Sequence, residues 1–389
     1  MKSVIVVHHH EIVLKRNNRA YFERQLTANL RLALAGLGPS FTVRPGYGRS
    51  VIEGGESPGE AAPALARLAK VFGVANICAG VKVSQDVAEF CAAADGLLAG
   101  SEFRTIRVHT NRADKRFATR SMDVSAQVGE YICTKYGVRA DLTTPDETVF
   151  IEIADGAAYV YRSKMKGAGG LPVGVSGKIV SLLSAGFDSP VASWQMMRRG
   201  GAVIFIHFHS MPYTDARSVD QVRDLVKVLT LWQFRSRLWL VPFAEVQNRI
   251  VLGTPQELRV ILYRRMMFRI AEAVALREGA EALATGEALG QVASQTLRNI
   301  RVINEVATLP VLRPLAGTDK EETMALAREI GTYDISKEPY DDCCSFLAPR
   351  KPATWASPEE VRRAEAALDT PELVRMALEA MTVETYPVK

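Results

Sequence analysis

The chain has 389 residues, with 48 Lys and Arg against 43 Asp and Glu, a formal net charge of +5 and 48% apolar residues. That length exceeds one ordinary hydrophobic core, so two or three domains are expected. No apolar run approaches the roughly 18 residues that span a bilayer, the Met1–Lys15 segment lacks a signal peptide's apolar core, and Cys78, Cys91, Cys133, Cys343 and Cys344 form no C-x-x-C pair; a disulfide framework, a zinc or iron–sulfur site and export are disfavoured, and a cytoplasmic location is the expectation.

In chain order, Ser3–Val7 reads as a strand, Arg19–Leu34 as a helix with Phe22, Leu26, Leu30 and Leu34 along one face, and Phe41–Val43 as a strand, together a small α+β unit. Between the first two, Glu11–Arg19 gathers basic and amide groups (Lys15, Asn18, Arg19) suited to phosphate and ribose contacts, though a solvated loop reads equally well. His8, His9 and His10 are consecutive at a strand end, where side chains alternate faces, so shared metal ligation is not expected. The turn-rich Gly54–Gly59 stretch marks a boundary, with a helix over Ala61–Val71 after it. Arg104–His109 then alternates as a strand, Val124–Tyr136 reads as a helix, and Thr148–Ile153 with Ala157–Tyr161 reads as a hairpin around Asp155-Gly156. Arg112, Lys115 and Arg116 form a second basic loop. Gly167–Pro172 is the clearest linker. Residues 1–178 carry 23 Lys and Arg against 17 Asp and Glu, and the remainder 25 against 26, so a polyanion would find its complement in the front half.

Beyond the linker, strands at Ile179–Leu183 and Ala202–His207 alternate with helices at Pro190–Arg199 and Asp220–Leu229, the pattern of a parallel, doubly wound sheet. The first strand runs into Ser184-Ala185-Gly186-Phe187-Asp188-Ser189. Small residues there let backbone N–H groups approach an anion, and Ser189 with Pro190 is expected to cap and open the next helix, aiming its positive end at the turn. Asp188 would repel a polyphosphate unless a divalent cation intervened, which favours a nucleotide with Mg²⁺; no Gly-Lys-Ser/Thr follows, so the turn is not a Walker A loop. By itself the turn weighs equally as a cap-rich strand-to-helix connection. His207 and Phe208 close the second strand at its carboxyl edge, where ligands bind in open sheets. Arg264 lies on an arginine-rich helix, and Thr285–Thr296 mixes small and amide residues suited to close backbone approach. Adjacent Cys343 and Cys344, after Asp341-Asp342, favour a loop bearing reactive sulfur over simple burial. A helical pair over Ser357–Ala380 reads as a cover.

Taken together, these segments resemble the tRNA sulfurtransferase (tRNA 4-thiouridine synthase, ThiI-type) family over essentially the whole chain. The resemblance rests on Glu11–Lys15, Arg112–Lys115, Gly169–Gly174, Thr285–Thr296, Arg313-Pro314-Leu315, Asp342-Cys343-Cys344 and Ser184–Ser189, which is similar to the Ser-Gly-Gly-x-Asp-Ser PP-loop of ATP pyrophosphatases. Ala185 replaces the first loop glycine, which requires a negative φ there, and His10 stands where relatives usually have glycine. The resemblance implies an α/β protein: an N-terminal ferredoxin-like α+β domain (1–58), a THUMP RNA-binding domain (59–166) and a Rossmann-like, parallel-sheet PP-loop domain (167–389). It implies ATP-dependent adenylation of the C4 oxygen of uridine at tRNA position 8 and displacement of AMP by persulfide sulfur, with sulfur supply to thiamine thiazole synthesis a further role. The implied nucleotide residues are Leu182, Leu183, Ser184, Gly186, Ser189, His207, Phe208, Arg264, Gly286 and Gln295. Asp188 is expected at the Mg²⁺ and pyrophosphate site, Cys343 as persulfide acceptor, Cys344 as resolving thiol, and Lys15, Asn18, Arg19, Arg112, Lys115 and Arg116 against tRNA. With no rhodanese extension, a cysteine desulfurase is expected as external sulfur donor, and a homodimer is left open. The competing readings are a non-catalytic THUMP-type RNA-binding protein and a different PP-loop adenylating ligase.

Overall fold

The structure is a computed structural model that describes residues 1–14, 18–37, 41–54, 58–340, 343, 347 and 351–387. The chain divides into two units, Met1–Leu171 and Pro172–Lys389. Among the described residues no helix is long and apolar enough to cross a membrane.

The first unit comprises β1 (Lys2–His9), α1 (Arg19–Leu34), β2 (Thr42–Gly46), β3 (Arg49–Glu53), α2 (Pro58–Leu68), β4 (Val74–Val83), α3 (Val87–Leu98), β5 (Thr105–Arg112), α4 (Ser121–Tyr136), β6 (Arg139–Ala140), β7 (Glu147–Ala154), β8 (Ala157–Tyr161) and β9 (Met165–Gly169). The strands form one sheet in the order β2-β3-β1-β4-β8-β7-β5-β6, with β9 added against β4. Helix α1 has the bounds its apolar spacing predicts, and its buried Leu26, Leu30 and Leu34 fall on that face. The glycine-rich stretch read as a linker is a correction: its first half is β9, antiparallel to β4. A Cβ at Gly167 would lie 2.5 Å from the Val74 carbonyl oxygen, so that glycine serves close strand approach rather than chain flexibility.

The second unit comprises β10 (Lys178–Leu182), α5 (Asp188–Arg198), β11 (Ala202–His209), α6 (Arg217–Gln233), β12 (Arg235–Pro242), α7 (Ala244–Gly253), α8 (Arg259–Glu278), β13 (Ala282–Ala284), α9 (Leu297–Asn304), β14 (Val311–Leu312), α10 (Lys320–Ile330), two further helices at Pro358–Glu365 and Thr370–Ala380, and β15 (Thr382–Pro387). Its sheet runs β14-β13-β10-β11-β12-β15. The expected parallel sheet is present through β12 but is corrected at its edge, where β15 returns antiparallel to β12. The chain winds outward from β10 through β12 and then crosses back to β13 on the other side of β10. The order of winding therefore reverses between β10 and β13, and such a reversal opens a crevice at the carboxyl ends of those strands. Behind it lies the apolar mass of the unit, in which Phe205, Phe243, Tyr263 and Phe268 are fully buried.

Candidate active site

The Ser184–Ser189 loop leaves β10 at that reversal. Helix α5 begins at Asp188, with Phe187 as its N-cap and no side-chain cap, which corrects the expected start at Ser189-Pro190. Ser189 instead folds back: its hydroxyl accepts from the Ser184 amide at 2.9 Å and donates to the Ser184 carbonyl at 3.1 Å. That pair closes the loop on itself, and the first-turn amides of α5, which have no intrahelical acceptor, are left as the positive end of a helix beside it. Ala185 meets the condition set by its methyl group. Among described non-glycine residues only Asp155 and Phe234 have positive φ, and the Ala185 methyl is buried.

Opposite the loop, the turn after β13 approaches so closely that a Cβ on Gly286 would stand 2.6 Å from the Ser189 nitrogen. Only glycine fits that contact without backbone movement. Between these two turns lies a cleft of about 140 Å³ that opens to solvent. It is lined by Leu182, Leu183, Ser184, Asp188, Ser189, Ile206, His207, Phe208, Arg264, Met267, Thr285, Gly286, Glu287, Gln295 and Cys343. Every nucleotide residue expected from the sequence lines it except Gly186, which sits in the loop and whose carbonyl oxygen accepts from the Ser336 hydroxyl at 3.3 Å.

The walls carry a definite hydrogen-bonding character. His207 Nδ1 lies 2.8 Å from the Leu183 carbonyl, which can only accept, so Nδ1 carries the proton and Nε2 is left as an acceptor. That Nε2 is buried and has no partner among the described residues. Burial, reinforced by His209, pushes the His207 pKa down to about 4, against the favourable Leu183 carbonyl, so the ring is neutral at pH 7. The Gln295 side-chain oxygen is a second buried acceptor without a partner among the described residues. Glu287 lies between Arg313 Nε at 2.8 Å and Arg264 Nη1 at 3.4 Å and accepts from the Thr285 hydroxyl at 3.0 Å, so it orients Arg264 towards the pocket. Arg265 and Arg269, by contrast, pair with Glu365 and serve the packing of the Pro358–Glu365 helix. Phe208 reaches the pocket, yet its ring is mostly committed to an edge-on contact with Phe243 at 5.3 Å.

Three residues bearing on the site were not named individually from the sequence, although Gln291 lies in the Thr285–Thr296 stretch. Lys320 Nζ is 2.9 Å and Gln291 Nε2 is 3.0 Å from the Asp188 carboxylate, and Lys320 also stands over the Phe187 ring. A lysine in the first turn of a helix opposes the helix dipole, and that misplacement was the legible signal. The third is Gln247, fully buried, which donates to the Cys343 carbonyl at 2.7 Å and accepts from the Ser210 hydroxyl. An amide on the buried stripe of α7, between Phe243 and Ile250, was the corresponding sequence signal. Cys343 is buried among these groups; Cys344, Asp341 and Asp342 lie outside the described residues.

In the first unit, Lys15 lies outside the described residues and Asn18 is exposed. Arg19 pairs with Glu23 at 2.7 Å and packs on the Tyr47 ring at 3.6 Å. Arg112 donates to the carbonyls of Phe117 and Thr119 at 2.6 and 3.3 Å, bracing the loop that displays exposed Lys115 and the Asp114-paired Arg116. His8 and His9 are bonded to Glu152 and Ser50, on separate partners, as alternating strand faces require. Among the described residues no group of His, Cys, Asp or Glu converges as a metal site.

Comparison with known proteins gives a consistent result. Three family models match: the ThiI ferredoxin-like domain over residues 4–78, the THUMP domain over 84–162 and the thiamine biosynthesis protein ThiI over 174–370. A probable tRNA sulfurtransferase of Moorella thermoacetica is 44% identical over 99% of this chain and 98% of its own, and one of Thermus thermophilus is 42% identical over 99% and 95%. A crystal structure of a 4-thiouridine synthetase–RNA complex with bound ATP is 35% identical with a TM-score of 0.90, covering 99% of this chain and 100% of that one. PH1313 from Pyrococcus horikoshii is 25% identical with a TM-score of 0.67, covering 85% and 99%. With the ferredoxin-like and THUMP models in its first unit, the ThiI model over half its length and full-length relatives above 40% identity, the chain belongs to the ThiI family.

Proposed function

We propose that the protein is an ATP-dependent tRNA sulfurtransferase that converts uridine at position 8 to 4-thiouridine. The single observation that carries this reading is one crevice holding the Ser184–Ser189 loop, a neutral buried His207, Arg264 and Cys343 together. The C4 oxygen of uridine is a poor leaving group. Attack of that oxygen on the α-phosphorus of ATP expels pyrophosphate and leaves AMP on the base, a group that sulfur can displace.

The residues fit a nucleotide. His207 Nε2 and the Gln295 oxygen, both buried acceptors, suit the amino and hydroxyl donors of adenosine, and the glycine-only contact at Gly286 keeps the space between the turns open. The α5 amides and Arg264 suit the phosphates. Lys320 and Asp188, 2.9 Å apart, would flank the departing pyrophosphate, with Asp188 the residue that would hold Mg²⁺, and the ion would supply charge neutralisation for the leaving group. In the second stage the outer sulfur of a persulfide on Cys343 attacks C4 and AMP leaves; a second thiol, for which Cys344 is nearest in sequence, then attacks the Cys343 sulfur, forming a disulfide between the two cysteines and releasing 4-thiouridine, and an external dithiol would reduce that disulfide. A cysteine desulfurase is the class of enzyme that would load the persulfide. Residues 1–58, 59–166 and 167–389 are taken as ferredoxin-like, THUMP and PP-loop domains, the first two gripping tRNA through Asn18, Lys115 and Arg116 and their basic surroundings. The bound RNA and ATP in the related 4-thiouridine synthetase structure support this division.

ATP–pyrophosphate exchange tests the first stage. Exchange that requires tRNA, is lost in Asp188→Ala and persists in Cys343→Ala is the expected result. Exchange without tRNA would indicate a small-acid ligase, and no exchange in the presence of tRNA would indicate an RNA-binding protein without catalysis.

A further inference from the structure

The chain has four tryptophans, and Trp194, Trp232 and Trp239 are 4%, 9% and 5% exposed, whereas Trp355 is 71% exposed. An indole left in water forgoes the burial that large aromatic rings ordinarily gain, so its placement calls for a partner. Trp355 is not on a loose tip. Buried Asn299 donates through Nδ2 to the carbonyls of Ala293 at 2.7 Å and Ala353 at 2.8 Å, and its oxygen accepts from the Ala356 amide at 3.1 Å. The Thr296 hydroxyl donates to the Thr354 carbonyl at 2.9 Å, and Arg298 Nε donates to the Ala356 carbonyl at 3.1 Å. Four of these five bonds fasten residues 353–356 to residues 293–299, the stretch whose Gln295 lines the pocket, and the fifth, from Asn299 to Ala293, holds that stretch together.

Trp355 is thus built onto the wall of the nucleotide pocket and faces outward. Its chemistry is specific. The Arg298 guanidinium stands 5.4 Å from the indole centroid, and Arg301 and Lys351, each two residues outside those stretches in sequence, are exposed. A rigid aromatic face edged by cations matches a nucleobase and its flanking phosphates: every base has a π-face to stack, and Arg adds both charge and a planar surface.

We propose that Trp355 is a stacking platform for an unpaired nucleobase of the substrate RNA next to the uridine that enters the pocket, with Arg298 holding the indole and pairing the adjoining phosphate. This rests on the reading of the protein as a tRNA-modifying enzyme, and the test separates the two. The full chain is titrated with unmodified tRNA transcript while tryptophan emission and its quenching by acrylamide are followed, and thiolation is assayed in parallel. Because the other three indoles are buried, the expected result is that RNA changes the emission and shields it from acrylamide in the wild type and that this response is absent in Trp355→Phe. The KM for tRNA rises about tenfold in Trp355→Ala, less in Trp355→Phe, with the KM for ATP within twofold of wild type. An equal emission response in wild type and Trp355→Phe, or an unchanged tRNA KM in Trp355→Ala, overturns the platform. If the wild type makes no thiouridine, the functional reading fails, and the fluorescence titration still decides whether RNA covers Trp355. A response to a sulfur-donor protein and none to RNA would assign the surface to a protein partner and overturn the proposal.

Discussion

At the residue scale the site is set by which polar atoms are satisfied by the protein and which are left over. Ser189 spends its hydroxyl on Ser184, whereas His207 keeps Nε2 free among the described residues. Asp188, Cys343 and His207 were legible because each breaks a local expectation, an acid in an anion-binding turn, adjacent thiols and a histidine at a strand end, whereas Gly286 was named through the family resemblance. Lys320 and Gln247 carry only a local oddity, and their roles were not legible because each acts through a neighbour distant in sequence, Asp188 at 132 residues and Cys343 at 96. The bond from Gln247 fixes the backbone of Cys343 to the end of β11 through Ser210, and hence the thiol relative to His207 on that strand. Gln247→Ala is expected to retain tRNA-dependent ATP–pyrophosphate exchange while slowing 4-thiouridine formation about tenfold, a split that single-turnover assays of the two stages will read. Loss of the buried bond also costs stability, about 1–3 kcal/mol. Parallel loss of both stages at full folding would remove the positioning role, because a general distortion of the crevice would affect adenylation as well.

Elements were legible where side-chain pattern alone dictates them. Helix α1 and strands β8, β10 and β11 carry clean apolar periodicity or β-branched runs. Strands β4, β9, β12 and β15 were missed for different reasons: β4 and β9 are interrupted by glycines that permit close strand approach, and β12 and β15 mix charge into the strand. In β15 the charge has a structural use, since Glu384 binds Arg223 of α6 at 2.7 Å while Thr382–Pro387 pairs residue by residue with Leu240–Arg235 of β12. Without it β12 becomes an open edge, a template for intermolecular pairing. Truncation after Ala380 is accordingly expected to lower the melting temperature by several degrees and to promote aggregation on light scattering. A truncated protein that melts like the full chain and stays monodisperse would show that the edge is protected by other means.

On the scale of the whole molecule, two titrating histidines make stability depend on pH in a definable window. His207 and His9 are each pushed by burial down to about 4 from an ordinary value of 6.5, and burial lowers His209 too. The unfolded chain therefore binds more protons than the folded one between pH 6.5 and about 4. Stability is complete above that window and is lost on acidification through it, by up to about 1.4 kcal/mol per pH unit for each such histidine. Urea midpoints at pH 7 and pH 5 will check this: the midpoint should fall at pH 5, and the fall should be smaller in His207→Asn, where an amide can still donate to Leu183. A midpoint that rises on acidification would reverse the sign of the account. The basic front half was readable from charge, and the crevice in the rear half was signalled by the loop at 184–189. The continuity of the front sheet through β4 was not, because strand pairing over long separations leaves no local mark on the sequence.

If ATP is spent to activate a uridine oxygen that sulfur then replaces, mass spectrometry of nucleosides from an unmodified tRNA transcript, incubated with the protein, ATP, Mg²⁺ and a sulfane-sulfur source, will show it. The prediction is 4-thiouridine at position 8, formed with one AMP and one pyrophosphate per modified base. Transcript that remains unmodified, or ATP that is cleaved to ADP, would contradict it.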